Sequence, residues 1–250
     1  LCSKLATGGF GVVYSARLAG QQVVGKVARY GNGDDEQAER MLKAEAEILT
    51  KLRGCPDHFV QLLEVTETLS GRPCLLLERL PINLHQFILD LWREETMVAR
   101  EEVLVPLLRQ LAEALQCLHL VYDLVHGDVK PKNVLLDPEK KRLLLCDFGS
   151  AGRPVPSAIC TVVTNGYSAP WKCEALSLRQ SHDVWGFGIV ASRCLFGNFT
   201  GLLGSLDRQQ FETLTETPIS AARAFVWFCC CYDDAQSPSM TDVLAHEFLK

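Results

Sequence analysis

The chain has no long unbroken apolar run, no excess of basic charge and no cysteine pairs at zinc-binding spacing. Its most apolar stretch, Ala224 to Cys231, is too short to cross a membrane. The longer run Val103 to Val125 is interrupted by Pro106, Arg109, Glu113 and Asp123 and predicts an amphipathic helix under a core. The net charge of −5 gives no general case for nucleic acid as a partner. The 11 cysteines are scattered, and their one cluster, Cys229-Cys230-Cys231, lies in an apolar run as buried thiols would. That usage points to a reducing, cytoplasmic or nuclear setting. There is no signal-peptide pattern, and the first residue is leucine. The expectation is a domain cut from a longer chain, with regulatory domains or partners outside it.

What is present is 250 residues, 48% hydrophobic and 22% charged, enough for one large domain or two small lobes. No internal repeat is visible. Up to about Leu80 the chain reads as strand-rich: Phe10 to Leu18, Gln22 to Ala28, Val60 to Thr66 and Pro73 to Glu78. One helix, Glu39 to Leu52, carries Met41, Leu42, Ile48, Leu49 and Leu52 at helical spacing. After Pro81 helices dominate: Leu84 to Trp92, Val103 to Val125, Asp183 to Phe196, Ala221 to Tyr232 and Met240 to Leu249. Ser150 to Tyr167 has no period and contains Gly152, Pro154, Pro156 and Gly166, as a long loop would. This predicts an α+β chain, with a β-rich lobe over 1–80 holding one main helix, a hinge near Leu77 to Pro81, and a larger helical lobe over 81–250.

The chemistry concentrates between Val125 and Gly149. His126, Asp128, Lys130 and Asn133 share one short stretch, and Asp147-Phe148-Gly149 follows an apolar run. An acid, a lysine, an asparagine and a second acid in that order suit phosphoryl transfer with magnesium. Asp128 can take or orient the proton of an attacking hydroxyl. Asn133 and Asp147 offer oxygens to a hard cation, and Lys130 can steady a transferred phosphoryl group. Taken singly, each of these is equally a solvated polar residue. Upstream, Gly8, Gly9, Phe10 and Gly11 form a glycine-rich turn between strands, where backbone N–H groups could approach phosphate oxygens. Lys26 on the next strand needs an anion to hold it. Glu45 is the best-placed candidate, with Glu39 and Glu47 as rivals.

These motifs, in this order, resemble a eukaryotic protein kinase domain of the serine/threonine type over essentially the whole chain: the glycine-rich loop, Lys26, Glu45, HGDVKPKN, Asp147-Phe148-Gly149, Ala169-Pro170 and Asp183-Val184-Trp185-Gly186-Phe187-Gly188. The resemblance implies a bilobal kinase fold that uses ATP and Mg²⁺ on a protein substrate. It assigns Lys26 to the α/β-phosphates, paired with Glu45, and Asp128 as catalytic base beside Lys130. Asn133 and Asp147 take the metal, and Thr164 contacts the catalytic aspartate and lysine. Ala6, Gly8, Gly9, Phe10 and Gly11 cover the phosphates. Leu77 is the gatekeeper, and Glu78 and Leu80 belong to the adenine-binding hinge. Val13, Val24 and Leu135 sandwich the adenine, and Cys146 borders the nucleotide. Asp183 holds the catalytic loop from a buried helix.

The chain departs from the family pattern at several points. Ala6 stands where the first loop glycine is usual. Gly127 replaces the arginine that reads a phosphate on the activation loop, which removes a bidentate partner. Trp171 replaces the glutamate after Ala169-Pro170, and Ser237 replaces the arginine that pairs with it. The joint loss leaves no stranded charge. These departures imply activity that does not wait for phosphate at Ser157, Thr161 or Thr164. Lys132, four past Asp128, disfavours arginine upstream of the acceptor, unless it simply faces water. Two alternatives stand beside this reading. One is a small-molecule kinase of the aminoglycoside or choline type, which shares His-Gly-Asp. The other is a pseudokinase scaffold, against which the intact catalytic set argues.

Overall fold

The computed structural model describes residues 1–8, 11–31, 35–94, 97–154, 167, 169, 178–197, 220–230 and 234–250. They form two compact units, Leu1–Pro81 with Cys146–Gly149, and Ile82–Leu145 with Ser150–Lys250. The class is α+β.

The first unit is built on β1 (Lys4–Thr7), β2 (Gly11–Leu18), β3 (Gln21–Ala28), β4 (Leu62–Glu67) and β5 (Pro73–Glu78), an antiparallel sheet in the order β1-β2-β3-β5-β4. The two-residue period separates its faces. Ala16, Val23, Val27, Cys74 and Leu76 make a core cluster on one side. Cross-strand pairs Val13–Lys26, Lys26–Leu75 and Val24–Leu77 put these residues together on the other side. Helix α1 (Asp35–Leu52) buries Ala38, Leu42, Glu45, Leu49 and Leu52, one stripe at three- and four-residue spacing, and packs on β3, β4 and β5. It starts four residues before Glu39 because its first turn, with Asp35 and Glu36, is set by charge at the helix N-terminus and not by apolar period. Strand β1 was not expected from the sequence; all four of its residues are exposed, so no alternation marks it.

The second unit holds β6 (Ile82–Asn83), β7 (Val134–Asp137) and β8 (Arg142–Leu145) in one small sheet. Around it are α2 (Leu84–Glu94), α3 (Met97–Val121), α4 (Gln180–Phe196), α5 (Ala221–Cys229) and α6 (Met240–Ala245). Its core is a Leu104-Leu108-Leu111-Leu115-Leu118 stripe on α3 against α4, and Phe187, Phe225 and Phe248 in ring contact. Several helix limits differ from the sequence reading. Helix α3 begins at Met97 and stops at Val121, short of Val125, because Asp123 turns left-handed at φ 51°. The expected helix Met240 to Leu249 breaks at His246, whose extended backbone and ring Nδ1, accepting the Phe248 N–H, start a separate short turn at Glu247–Leu249. Helix α5 ends at Cys229, capped at Cys230, short of the expected end at Tyr232, a residue outside the described ones.

Two glycines let α4 lie close to its neighbours. A Cβ at Gly186 would meet the Val129 Cβ at 2.9 Å, and one at Gly188 would meet the Cys230 Sγ at 2.5 Å. Asp183, on the same helix, is therefore held hard against the stretch that carries Asp128.

Candidate active site

In the first unit Lys26 is fixed by two carboxylates. Its Nζ donates to Glu45 Oε1 and Oε2 at 2.7 and 2.6 Å and to Asp147 Oδ1 at 2.6 Å. Glu45 is 2% exposed, Lys26 13% and Asp147 43%, so the triad runs from the core to an accessible carboxylate. Burial pushes the lysine pKa down, but the charges of Glu45 and then Asp147 outweigh it, and the ammonium is held well above the ordinary lysine range. Of the rival acids, Glu47 is exposed and Glu39 bonds Tyr30. Room for the Lys26 stem comes from Gly11, where a Cβ would stand 3.1 Å from its Cε. Asp147 sits at φ 65°, a left-handed conformation that aspartate tolerates better than most residues. Phe148 beside it is buried edge-on against Phe59 at 5.8 Å.

In the second unit the stretch from Val125 to Asn133 hangs on Asp183. Its Oδ1 accepts the Gly127 N–H at 2.8 Å. Its Oδ2 accepts the His126 N–H at 2.7 Å and lies 2.9 Å from His119 Nε2. Burial raises the Asp183 pKa, but the His119 hydrogen bond and the imidazoles of His119 and His126 outweigh this and hold it below the ordinary carboxylate range. Asp128, 8% exposed, presents Oδ2 to Lys130 Nζ at 2.5 Å and to Asn133 Nδ2 at 3.1 Å. Asn133 Nδ2 also bonds the Asp128 carbonyl at 2.9 Å. The amide nitrogen is thus committed to Asp128. Val125 and Gly152 pair through backbone bonds of 2.8 and 3.0 Å.

Gly127 explains its own identity. Its φ is 77°, and a Cβ there would approach the Ser150 carbonyl oxygen to 2.8 Å and the Leu178 side chain to 3.2 Å. Any L-residue at this point would need the backbone to shift.

Val13, Val24 and Leu77 share the sheet face of Lys26; Leu77 and Leu80 are buried, and Leu135 and Cys146 partly so. The Glu78 carboxylate accepts the Gln61 N–H, anchoring the end of β5. Ala6 pairs with Val13, and the Gly8 N–H bonds the Gly11 carbonyl. Gly9, Phe10, Ser157, Thr161, Thr164 and Trp171 lie outside the described residues, while Ser237 is half-buried. Sequence reasoning missed His119; the signal available was one imidazole inside the apolar run Leu118-His119-Leu120.

The family model for the protein kinase domain matches residues 1–249. The chain belongs to the protein kinase family. Among its relatives, the serine/threonine-protein kinase RIM11/MSD1 of Saccharomyces cerevisiae is 33% identical over 49% of this chain and 34% of its own length. The serine/threonine-protein kinase dkf-2 of Caenorhabditis briggsae is 31% identical over 78% of this chain and 16% of its own. The protein kinase gsk3 of Schizosaccharomyces pombe is 31% identical over 50% and 38%. Each match spans well under two thirds of the relative's length. This kinase domain is of the serine/threonine type, and its family uses ATP with Mg²⁺. No helix among the described residues is long and apolar enough to cross a membrane.

Proposed function

We propose that this kinase domain transfers the γ-phosphoryl of Mg·ATP to serine or threonine hydroxyls of protein substrates, and needs no phosphate on its 155–170 segment to do so. The observation that carries the reading is the Asp128–Lys130–Asn133 triangle suspended from Asp183. Two donors on one oxygen fix the Asp128 carboxylate in orientation, as a group that must accept or steer a hydroxyl proton requires. Lys130 supplies positive charge beside it for the transferred phosphoryl.

Lys26, kept charged and anchored by Glu45, serves as phosphate ligand. The apolar residues Val13, Val24 and Leu77 on its sheet face, with Leu80, Leu135 and Cys146, serve the base. Ala6, Gly8, Gly9, Phe10 and Gly11 serve the phosphates, Glu78 the hinge, and Thr164 the catalytic pair. Among the described residues no group of three or more His, Cys, Asp or Glu side chains could hold a metal alone. Asn133 and Asp147 are oxygen donors, which fits a magnesium that takes one or two protein ligands and completes its shell from phosphate and water. Bound there, the metal would neutralise charge on the phosphate oxygens.

Independence from a loop phosphate is supported by Gly127. With no side chain and no space for one, this position cannot hold a guanidinium to read a phosphate. The test compares phosphatase-treated wild type with Asp128→Asn on a protein substrate. Wild type is expected to turn over, and the variant to lose about a hundredfold or more in kcat while still binding nucleotide. Wild type no faster than the variant would favour a scaffold. Turnover absent after phosphatase and restored by phosphate at Ser157 or Thr161 would reject the independence.

A further inference from the structure

Glycine inside a strand weakens it, and it marks a bulge, a bend or a place where another group approaches the backbone closely. Gly25 is such a residue: it lies within β3, buried, immediately before Lys26. Neither a bulge nor a backbone angle requires it. Its pairings with Tyr14 on β2 and Leu76 on β5 are in regular register, and its φ is not left-handed. The reason is space. A Cβ at Gly25 would stand 2.3 Å from Leu1 Cδ2, closer than two carbons can approach, but 3.4 Å from Cys74 Sγ and 3.7 Å from Leu76 Cδ2, which are ordinary contacts. The missing side chain leaves a socket whose walls would accept a methyl group, and the tip of Leu1 fills it.

The socket opens on the sheet face opposite Lys26. Strand alternation puts Gly25 on the side of Val23, Val27, Cys74 and Leu76. Strand pairing brings residues 1–3 to this place. The Cys2 N–H donates to the Ser15 carbonyl at 2.7 Å, the Ser15 N–H donates to the Ser3 carbonyl at 2.8 Å, and the two serine hydroxyl oxygens are 2.8 Å apart. These residues prolong β1 along β2, and Leu1 then reaches over to β3. Leu1 is 55% exposed, so its tip is held while the rest of it meets solvent. Such a contact can open without unfolding the sheet. Lys26, the next residue along β3, keeps contacts of 2.6–2.7 Å with two carboxylates, a geometry that a small displacement of the strand degrades.

We propose that residues 1–3 form a latch on the strand that presents Lys26. Leu1 seated at Gly25 packs β3 from behind, and its withdrawal loosens the strand and weakens the binding of Mg·ATP. The socket takes one apolar side chain, and its occupant is Leu1 of this chain. The effect on nucleotide rests on the kinase reading above; the seating of Leu1 does not.

The test is a double-mutant cycle of Leu1→Ser and Gly25→Ala in the full chain, read by thermal melting and by equilibrium titration with Mg·ADP. Leu1 is more than half exposed, so its replacement does not threaten the fold. Gly25→Ala is expected to gain nothing in the wild type, where the methyl displaces Leu1. In the Leu1→Ser background the socket is empty, and the same change is expected to raise the melting temperature by about 1–4 °C. An equal effect of Gly25→Ala in the two backgrounds overturns the latch. Leu1→Ser is expected to weaken Mg·ADP binding about threefold or more, and Leu1→Met, which keeps an apolar tip, to retain wild-type affinity. Adding Gly25→Ala to Leu1→Ser is expected to restore part of the lost affinity, because the methyl refills the socket. Affinity unchanged by Leu1→Ser, or lost equally in Leu1→Met, overturns the proposal. If the wild type binds no Mg·ADP, the kinase reading has failed, and the melting cycle alone decides the latch: dependence of the Gly25→Ala effect on Leu1 supports it, and additivity overturns it.

Discussion

At Gly127 backbone and side-chain requirements coincide. The left-handed φ and the 2.8 Å approach to the Ser150 carbonyl both demand glycine. A left-handed L-residue costs about 1–2 kcal/mol before any clash. Gly127→Ala is expected to lower the melting temperature by several degrees, and Gly127→Arg to do so at least as much without creating dependence on a loop phosphate. Differential scanning calorimetry, with activity before and after phosphatase treatment, checks both. Lys26 makes the complementary case. Its charge is set by Glu45 and Asp147, 19 and 121 residues away. Glu45→Gln is expected to raise the KM for ATP about tenfold or more, because the lysine loses the buried anion that aims it. An unchanged KM would remove Glu45 from the positioning role.

At the level of elements, α4 is the part on which the second unit's site depends. Gly186 and Gly188 are two residues apart but touch different things: Val129 beside Asp128, and Cys229 and Cys230 of the α5 end. Both Gly→Ala variants should lose about 1–3 kcal/mol by overpacking. Only Gly186→Ala should also depress kcat at a temperature where both are folded, since it displaces the neighbour of Asp128. Equal loss of kcat in the two would deny α4 that local role. Elements were legible from the sequence where periodicity was strong, as in α1 and in β5, read and found at Pro73–Glu78. They were illegible where the pattern was weak, as in fully exposed β1. They were also misjudged where one backbone angle overrode the pattern, as at Asp123, which ends α3, and at His246, which splits the last helix.

For the molecule as a whole, Asp183 links fold stability to pH. Its folded pKa is depressed, so its contribution is fully present above the unfolded carboxylate value, about 3.9, and is lost as pH falls through the lower folded value. Asp183→Asn should be less stable than wild type at neutral pH, and its stability should fall less steeply on acidification below about pH 4. Urea melts across that range decide it; parallel slopes for the two proteins would place the acid sensitivity elsewhere.

The sequence by itself determined the α+β class and the local chemistry. Asp128, Lys130 and Asn133 lie within six residues, so their spacing alone brings them together, and helical spacing made Glu45 the best candidate anion for Lys26 while leaving Glu39 and Glu47 as rivals. Only the tertiary structure decided what depends on distant partners: His119 and Asp183 meeting 64 residues apart, and the space that forces glycine at 127. Local spacing is fixed by chain geometry, whereas contacts between remote segments are fixed by packing, which no single stretch of sequence contains.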